Sequence, residues 1–92
     1  MAVTFLIPGP LRLYASGRTR VVVERSPTLG GVLESLWKEC PGIRDRLVTE
    51  QEQFREHINV FVGKEDVRYT GGLQTPVPDE AEITILPAIS GG

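Results

Sequence analysis

The sequence predicts an α+β domain in which one main helix lies across one face of a single mixed sheet. Three observations carry this expectation. An alternating segment and a β-branched one are joined early in the chain by a turn-rich connection, an amphipathic stripe of helical spacing follows them, and further alternating segments come later, the last close to residue 92. At 92 residues the chain is expected to form one domain over 1–92, with a tail at 87–92. A chain of this size buries roughly two-thirds of its unfolded surface, which supports one core and leaves little for a deep substrate cavity.

Residues 3–7 place Val3, Phe5 and Ile7 on one side and Thr4 and Leu6 on the other, the period of a strand, and Pro8-Gly9-Pro10 stops it. Residues 11–17 read as a connection with Gly17 at a turn. Residues 19–25, with Val21-Val22-Val23 between charged flanks, read as a second strand that forms a hairpin with the first. Thr28 is the expected N-cap of a helix whose apolar stripe runs through Leu29, Val32, Leu33, Leu36, Trp37 and Cys40, with Glu34, Ser35, Lys38 and Glu39 opposite. Pro41-Gly42 ends it. A short helical turn is expected over 43–48 and a polar, solvated excursion over 49–56. Ile58, Val60 and Val62 alternate with Asn59 and Phe61 as a third strand. A brief strand is expected at 67–69, turns at Gly71-Gly72 and 76–80, and a last long strand at 82–86, with Pro87 marking its end. A strand placed after such a helix requires a crossover, which is right-handed. The arrangement expected is the β-grasp, or ubiquitin-like, fold; pattern alone supports α+β, and the specific topology rests in part on the C-terminal sequence described below.

Composition excludes several classes of function. Ten basic against twelve acidic residues give a net charge of −2, and the arginines are dispersed. The concentrated positive footprint of a phosphate-backbone binder is missing, so no nucleic-acid partner is expected. The 40% hydrophobic content is too high for a disordered chain. No apolar run approaches the ~18 residues of a membrane helix. One cysteine cannot form a disulfide framework, and Cys40 with His57 falls short of a metal site. The N-terminal segment lacks the basic region of a secretory signal, so the expected location is the cytoplasm.

The ending Pro87-Ala88-Ile89-Ser90-Gly91-Gly92 is the most informative feature. It reads as a short flexible tail carrying a carboxylate on a residue without a side chain. Such a group suits acyl activation. An ATP-using enzyme must bring a carboxylate oxygen in line with the α-phosphate through a narrow channel, and a side chain at Gly91 or Gly92 would obstruct the approach. Attack by a sulfur donor on the acyl adenylate would leave a C-terminal thiocarboxylate.

The chain resembles the MoaD/ThiS family of ubiquitin-like sulfur carriers over essentially its whole length. The resemblance rests on the opening Val3-Thr4-Phe5-Leu6-Ile7-Pro8, the helix entry Thr28-Leu29-Gly30-Gly31-Val32, and the ending from Ile83 to Gly92. Within the family, Asn59-Val60-Phe61-Val62 and the stretch from Glu65 to Leu73 are most similar to the CysO-type carriers of cysteine biosynthesis. The molybdopterin synthase small subunit has a similar Pro-x-x-x-Gly-Gly ending but is usually shorter, and the insertion around 49–57 favours the CysO-type branch. The resemblance implies that the chain is a protein cosubstrate and not an enzyme. Gly92 would be adenylated with ATP by a ubiquitin-activating-type enzyme and converted to a thiocarboxylate, Gly91 sharing the channel, with no cofactor bound to the carrier itself. In the CysO-type case the acceptor is a pyridoxal-phosphate cysteine synthase. In the other it is the molybdopterin synthase large subunit. A ubiquitin-like modifier joined to lysines through Gly92 would use the same tail.

Strand parity supplies a candidate partner surface. If Val3, Phe5, Ile7, Val60, Val62, Ile83 and Ile85 face the helix, then Leu6, Phe61 and Leu86 face away from it on neighbouring strands, as an apolar patch beside the tail. Other tempting residues have plainer roles. Cys40 and Trp37 continue the helix's apolar stripe and are expected in the core. His57 has no companion for general-base work. Gly30-Gly31 lacks the spacing and lysine of a phosphate loop and is expected to allow close packing of the helix start against the sheet. Arg12 and Arg68 are not separable from ordinary surface arginines.

Overall fold

The computed structural model describes residues 2–87. Its five strands are β1 (Ala2–Leu6), β2 (Arg20–Glu24), β3 (Ile58–Val62), β4 (Glu65–Asp66) and β5 (Glu82–Pro87). They form one sheet in the order β2-β1-β5-β3-β4. β1 and β2 are an antiparallel hairpin, β1 and β5 run parallel, and β3 is antiparallel to both β5 and β4. The main helix α1 (Leu29–Glu39) and a one-turn helix α2 (Arg44–Leu47) complete the regular structure. This is the expected β-grasp fold, a mixed sheet with one helix across it.

The helix forms where its sequence signals place it. Thr28 has extended backbone angles and its Oγ1 accepts from the Gly31 N–H, which satisfies one of the free donors of the first turn. The Leu29 N–H, a second such donor, bonds the carbonyl of Thr75. Leu29, Val32, Leu33, Leu36 and Cys40 are buried together with Val3, Phe5, Val21, Val23, Ile58, Val60, Val62, Ile83 and Ile85 from the inner face of the sheet. Trp37 is only partly buried, at the edge of this core, because it sits where the stripe turns toward solvent.

Gly30-Gly31 permits a close approach, but to a different neighbour from the sheet. A Cβ on Gly31 would fall 2.0 Å from Ser26 Oγ and 2.8 Å from Ser26 Cβ, and one on Gly30 would lie 3.3 Å from the Leu73 carbonyl oxygen. The pair therefore lets the helix entry fit between the residues just before it and the loop ahead of β5. That loop is laced to the entry by the Val77 N–H bonding Pro27 O and by the buried Thr75, whose Oγ1 bonds Gly72 O and meets Thr70 Oγ1.

Two connections differ from expectation. The segment after β1 is a 3₁₀ helix, Gly9–Ala15, where a plain connection was expected. Pro10 suits its first turn, where no N–H is needed, Leu11 and Ala15 are buried, and Ser16 and Gly17 end it with φ of 55° and 79°. Two buried side chains are too few to mark a helical period in the sequence. Residues 67–69 form a 3₁₀ turn, not a strand. Val67 and Tyr69 have strand propensity, but Asp66 Oδ1 accepts from the Arg68 N–H at 2.9 Å and diverts the backbone. The short strand lies immediately before, at Glu65–Asp66, facing Val62 and Phe61 across a turn whose Gly63 has φ of 61°. The excursion at 49–56 is largely exposed as expected, anchored by Phe54, which bridges to Val48 and packs partly against the core.

Candidate functional site

β5 lies between β1 and β3 and leads directly to residues 88–92. Gly91 and Gly92, the expected reactive end, lie outside the described residues. Pro87 is the last residue of β5 and stands opposite Ile58, the first residue of β3. Proline carries no N–H for a ladder bond, so it suits the terminus of a strand. The facing end of β3 is held from its other side. Arg68 Nη2 donates to the carbonyls of Glu56 at 3.0 Å and Ile58 at 2.8 Å. β4 is too short to reach these groups, and the guanidinium takes the place of a neighbouring strand. Arg68 is thus a structural clamp beside the departing chain. Arg12 is likewise internal in purpose, its Nε donating to Ile7 O at 3.0 Å.

On the face of the sheet away from α1, pairing register brings the patch residues near one another. Leu6 and Phe61 both stand opposite Thr84, one on each side of it. With strands about 4.8 Å apart, the two side chains sit about 10 Å from each other, with Thr84 between them. Leu86 is two residues further along β5, opposite Asn59. Leu6 and Phe61 are half-buried, and Leu86 is 47% exposed. The sequence reading missed Thr84 at the centre of this surface and the charged residues that end its row. Arg20 stands beyond Leu6 at one edge of the sheet and Asp66 beyond Phe61 at the other. The signal that would have found them is cross-strand register, which parity within single strands does not supply.

Among the described residues no cluster of His, Cys, Asp and Glu is arranged to hold a metal ion, and no helix is long and apolar enough to cross a membrane. His57 is exposed. Cys40 is buried, and Arg18 Nη2 donates to its sulfur at 3.4 Å while Nη1 pairs with Glu39 at 3.1 Å. Burial pushes the thiol pKa up, Glu39 adds to this, and Arg18 opposes it. Cys40 is therefore a protonated core group and an ill-suited nucleophile. Because the folded state holds this proton more tightly than the unfolded chain does, the associated stability is full below the ordinary thiol pKa of about 8.5 and is lost as pH rises beyond it. Urea unfolding at about pH 7 and about pH 10 is expected to show a larger alkaline loss of stability for the parent chain than for Cys40→Ala. Equal losses would contradict it.

The central strand β5 thus leads toward the Gly91-Gly92 sequence, and Leu6, Phe61 and Leu86 lie on the outer face of β5 and its two neighbours. The chain belongs to the ThiS family, whose model matches residues 5–92. It is similar to the sulfur carrier protein CysO of Mycobacterium tuberculosis, at 39% identity over 94 aligned positions that cover 100% of both chains. The crystal structure of that CysO superposes with a TM-score of 0.88 at 37% identity, over 95% of this chain and 99% of the other. It is also similar to a chain in the crystal structure of the Amycolatopsis orientalis BexX/CysO complex, with a TM-score of 0.89, 40% identity, and 98% and 99% of the two chains covered. Small archaeal modifier protein 3 of Haloferax volcanii is 31% identical over 70 residues, 76% of this chain and 75% of the other.

Proposed function

We propose that this chain is a sulfur carrier for cysteine biosynthesis, with the carboxylate of Gly92 as the group that carries sulfur. The observation that carries the reading is full-length similarity to a named sulfur carrier, in a chain whose own sequence carries Gly91-Gly92 after its last strand. In the first step a Gly92 carboxylate oxygen attacks the α-phosphate of ATP, pyrophosphate leaves, and an acyl adenylate forms on a ubiquitin-activating-type partner. In the second a sulfide-level donor attacks the acyl carbon and AMP leaves, giving the thiocarboxylate. The receiving enzyme is a pyridoxal-phosphate cysteine synthase. This chain supplies the acyl group and a docking surface, and its partners supply the ATP chemistry and the cofactor. Incubation with such an activating enzyme, ATP and a sulfur donor is expected to raise the intact mass by the difference between sulfur and oxygen. No change in mass under these conditions would overturn the reading.

A second reading is a protein modifier that forms isopeptide bonds through Gly92, favoured by the similarity to small archaeal modifier protein 3. The same activation gives a different product here. Lysine-linked adducts on other proteins, found by mass spectrometry, would support it.

Leu6, Phe61 and Leu86 are proposed to dock the activating partner. Leu6→Asp is the cleaner test, because Leu6 stands opposite Arg20, whereas Phe61→Asp would place a second carboxylate against Asp66. Leu6→Asp is expected to lower kcat/KM for pyrophosphate release by about tenfold or more, with little change in melting temperature. An unchanged kcat/KM would remove Leu6 from the interface.

A further inference from the structure

Among the described residues, β2 is an edge strand that pairs only with β1. The Ile7 N–H bonds Thr19 O, so Ile7 and Thr19 are a hydrogen-bonded pair. Antiparallel alternation then makes Phe5 with Val21, and Val3 with Val23, the next such pairs, and turns the backbone N–H and C=O of Arg20, Val22 and Glu24 outward from the sheet. The Thr4 N–H, which bonds Ala81 O on the side away from β2, confirms that phase. The same three residues carry exposed side chains on the face away from α1, Val22 at 61%.

We infer that this edge pairs with the β2 edge of a second copy, antiparallel about a two-fold axis at Val22. That register sets Val22 against its twin and Arg20 against the other copy's Glu24 on both sides of the axis. Every outward N–H and C=O of these residues then gains a partner, and the two five-stranded sheets become continuous. Charge selects the register. Among axes through the three outward-turned residues, centring on Arg20 would oppose two guanidinium groups and centring on Glu24 two carboxylates, whereas the Val22 axis sets opposite charges in both flanking pairs within β2. The competing partner of Arg20 within the chain is Glu82, at 4.0 Å, with both side chains more than half exposed, an ion pair too weak to hold the arginine back. Exposed charges on an edge strand normally discourage pairing. The spacing of these two makes them complementary in a symmetric pair. The edge lies on the far side of β1 from β5, so the pairing leaves Phe61 and Leu86 accessible and is independent of the carrier reading.

Sedimentation equilibrium of the full chain over a range of concentrations tests the inference. The parent is expected to form a concentration-dependent dimer that weakens with added salt. Glu24→Arg sets like charges together in both symmetric pairs and is expected to weaken the dimer more than about tenfold. Adding Arg20→Glu to that variant restores complementarity and is expected to return the dissociation constant to within about threefold of the parent. Melting curves of all three chains confirm that the monomer fold is unchanged. A parent that remains monomeric at every concentration, or a dimer indifferent to Glu24→Arg, overturns the inference. So does failure of the double exchange to rescue.

Discussion

Removal of Gly92 is expected to abolish thiocarboxylate formation while leaving the melting temperature where it was. The last residue of β5 is Pro87, and residues 88–92 separate it from the Gly92 carboxylate proposed to react. At about 3.5 Å per extended residue, Gly92 can reach no more than about 17 Å from the end of the sheet. A partner that docks on the outer face must therefore keep its ATP within that distance. Deleting one residue draws the carboxylate back by up to about 3.5 Å, and in-line attack tolerates far less, since a misplacement of about 1 Å already costs about a hundredfold. Loss of activity should therefore be complete within detection, seen as no gain in intact mass and no ATP-dependent release of pyrophosphate. Gly91→Val is the companion variant. It keeps the length and blocks the channel with a branched side chain, so it should lower activation steeply without restoring it at high ATP. A Gly92 deletion that still gains sulfur would mean that length is not read, and would move the reactive group elsewhere.

Much of the fold was legible because its elements carry patterns that local physics enforces. Strict alternation in β1, β3 and β5 fixed which side chains face α1, and the Thr28 cap with its apolar stripe fixed where the helix starts and what it covers. The misreadings fell where a long-range or side-chain interaction overrides propensity. Val67 and Tyr69 favour a strand, yet a carboxylate one residue upstream takes the backbone N–H that a ladder would need. Gly30 and Gly31 signalled close packing, but the partners, Ser26 and Leu73, could be found only once the loop before β5 was folded back on the helix entry. The outer surface was legible in part for the same reason. Parity named Leu6, Phe61 and Leu86, while the Thr84 between them and the Arg20 and Asp66 beyond them depend on register across the sheet. Arg68 is the clearest case of a residue whose place in the molecule has no sequence signature. Its guanidinium matters because β4 stops after two residues and leaves the carbonyl of Ile58 to be satisfied by a side chain.

Phe5→Ala is expected to cost about 3–5 kcal/mol, the loss of a large buried ring together with the cavity left behind. Phe5 is 0% exposed, and its neighbours across the sheet, Val21 and Ile83, are buried as well. It therefore sits in the interior of the inner face, where no side chain can move in from an edge to fill the space. A domain of this size holds about 5–14 kcal/mol of stability in all, so the variant would retain a marginal fold at best. The expected drop in melting temperature is about 15–30 °C. Leu6, the next residue, lies on the opposite face and is only half-buried, so Leu6→Ala should cost about 1 kcal/mol or less. The two positions therefore test core stability and the proposed docking separately. At temperatures where it remains folded, Phe5→Ala should be activated at close to the parent's kcat/KM, because the outer face and the chain end are untouched. Leu6→Asp should melt near the parent and be activated poorly. If Phe5→Ala instead lost activation while still folded, the outer face could not be treated as independent of the core beneath it, and the assignment of Leu6, Phe61 and Leu86 to docking would have to yield to a general loosening of the sheet.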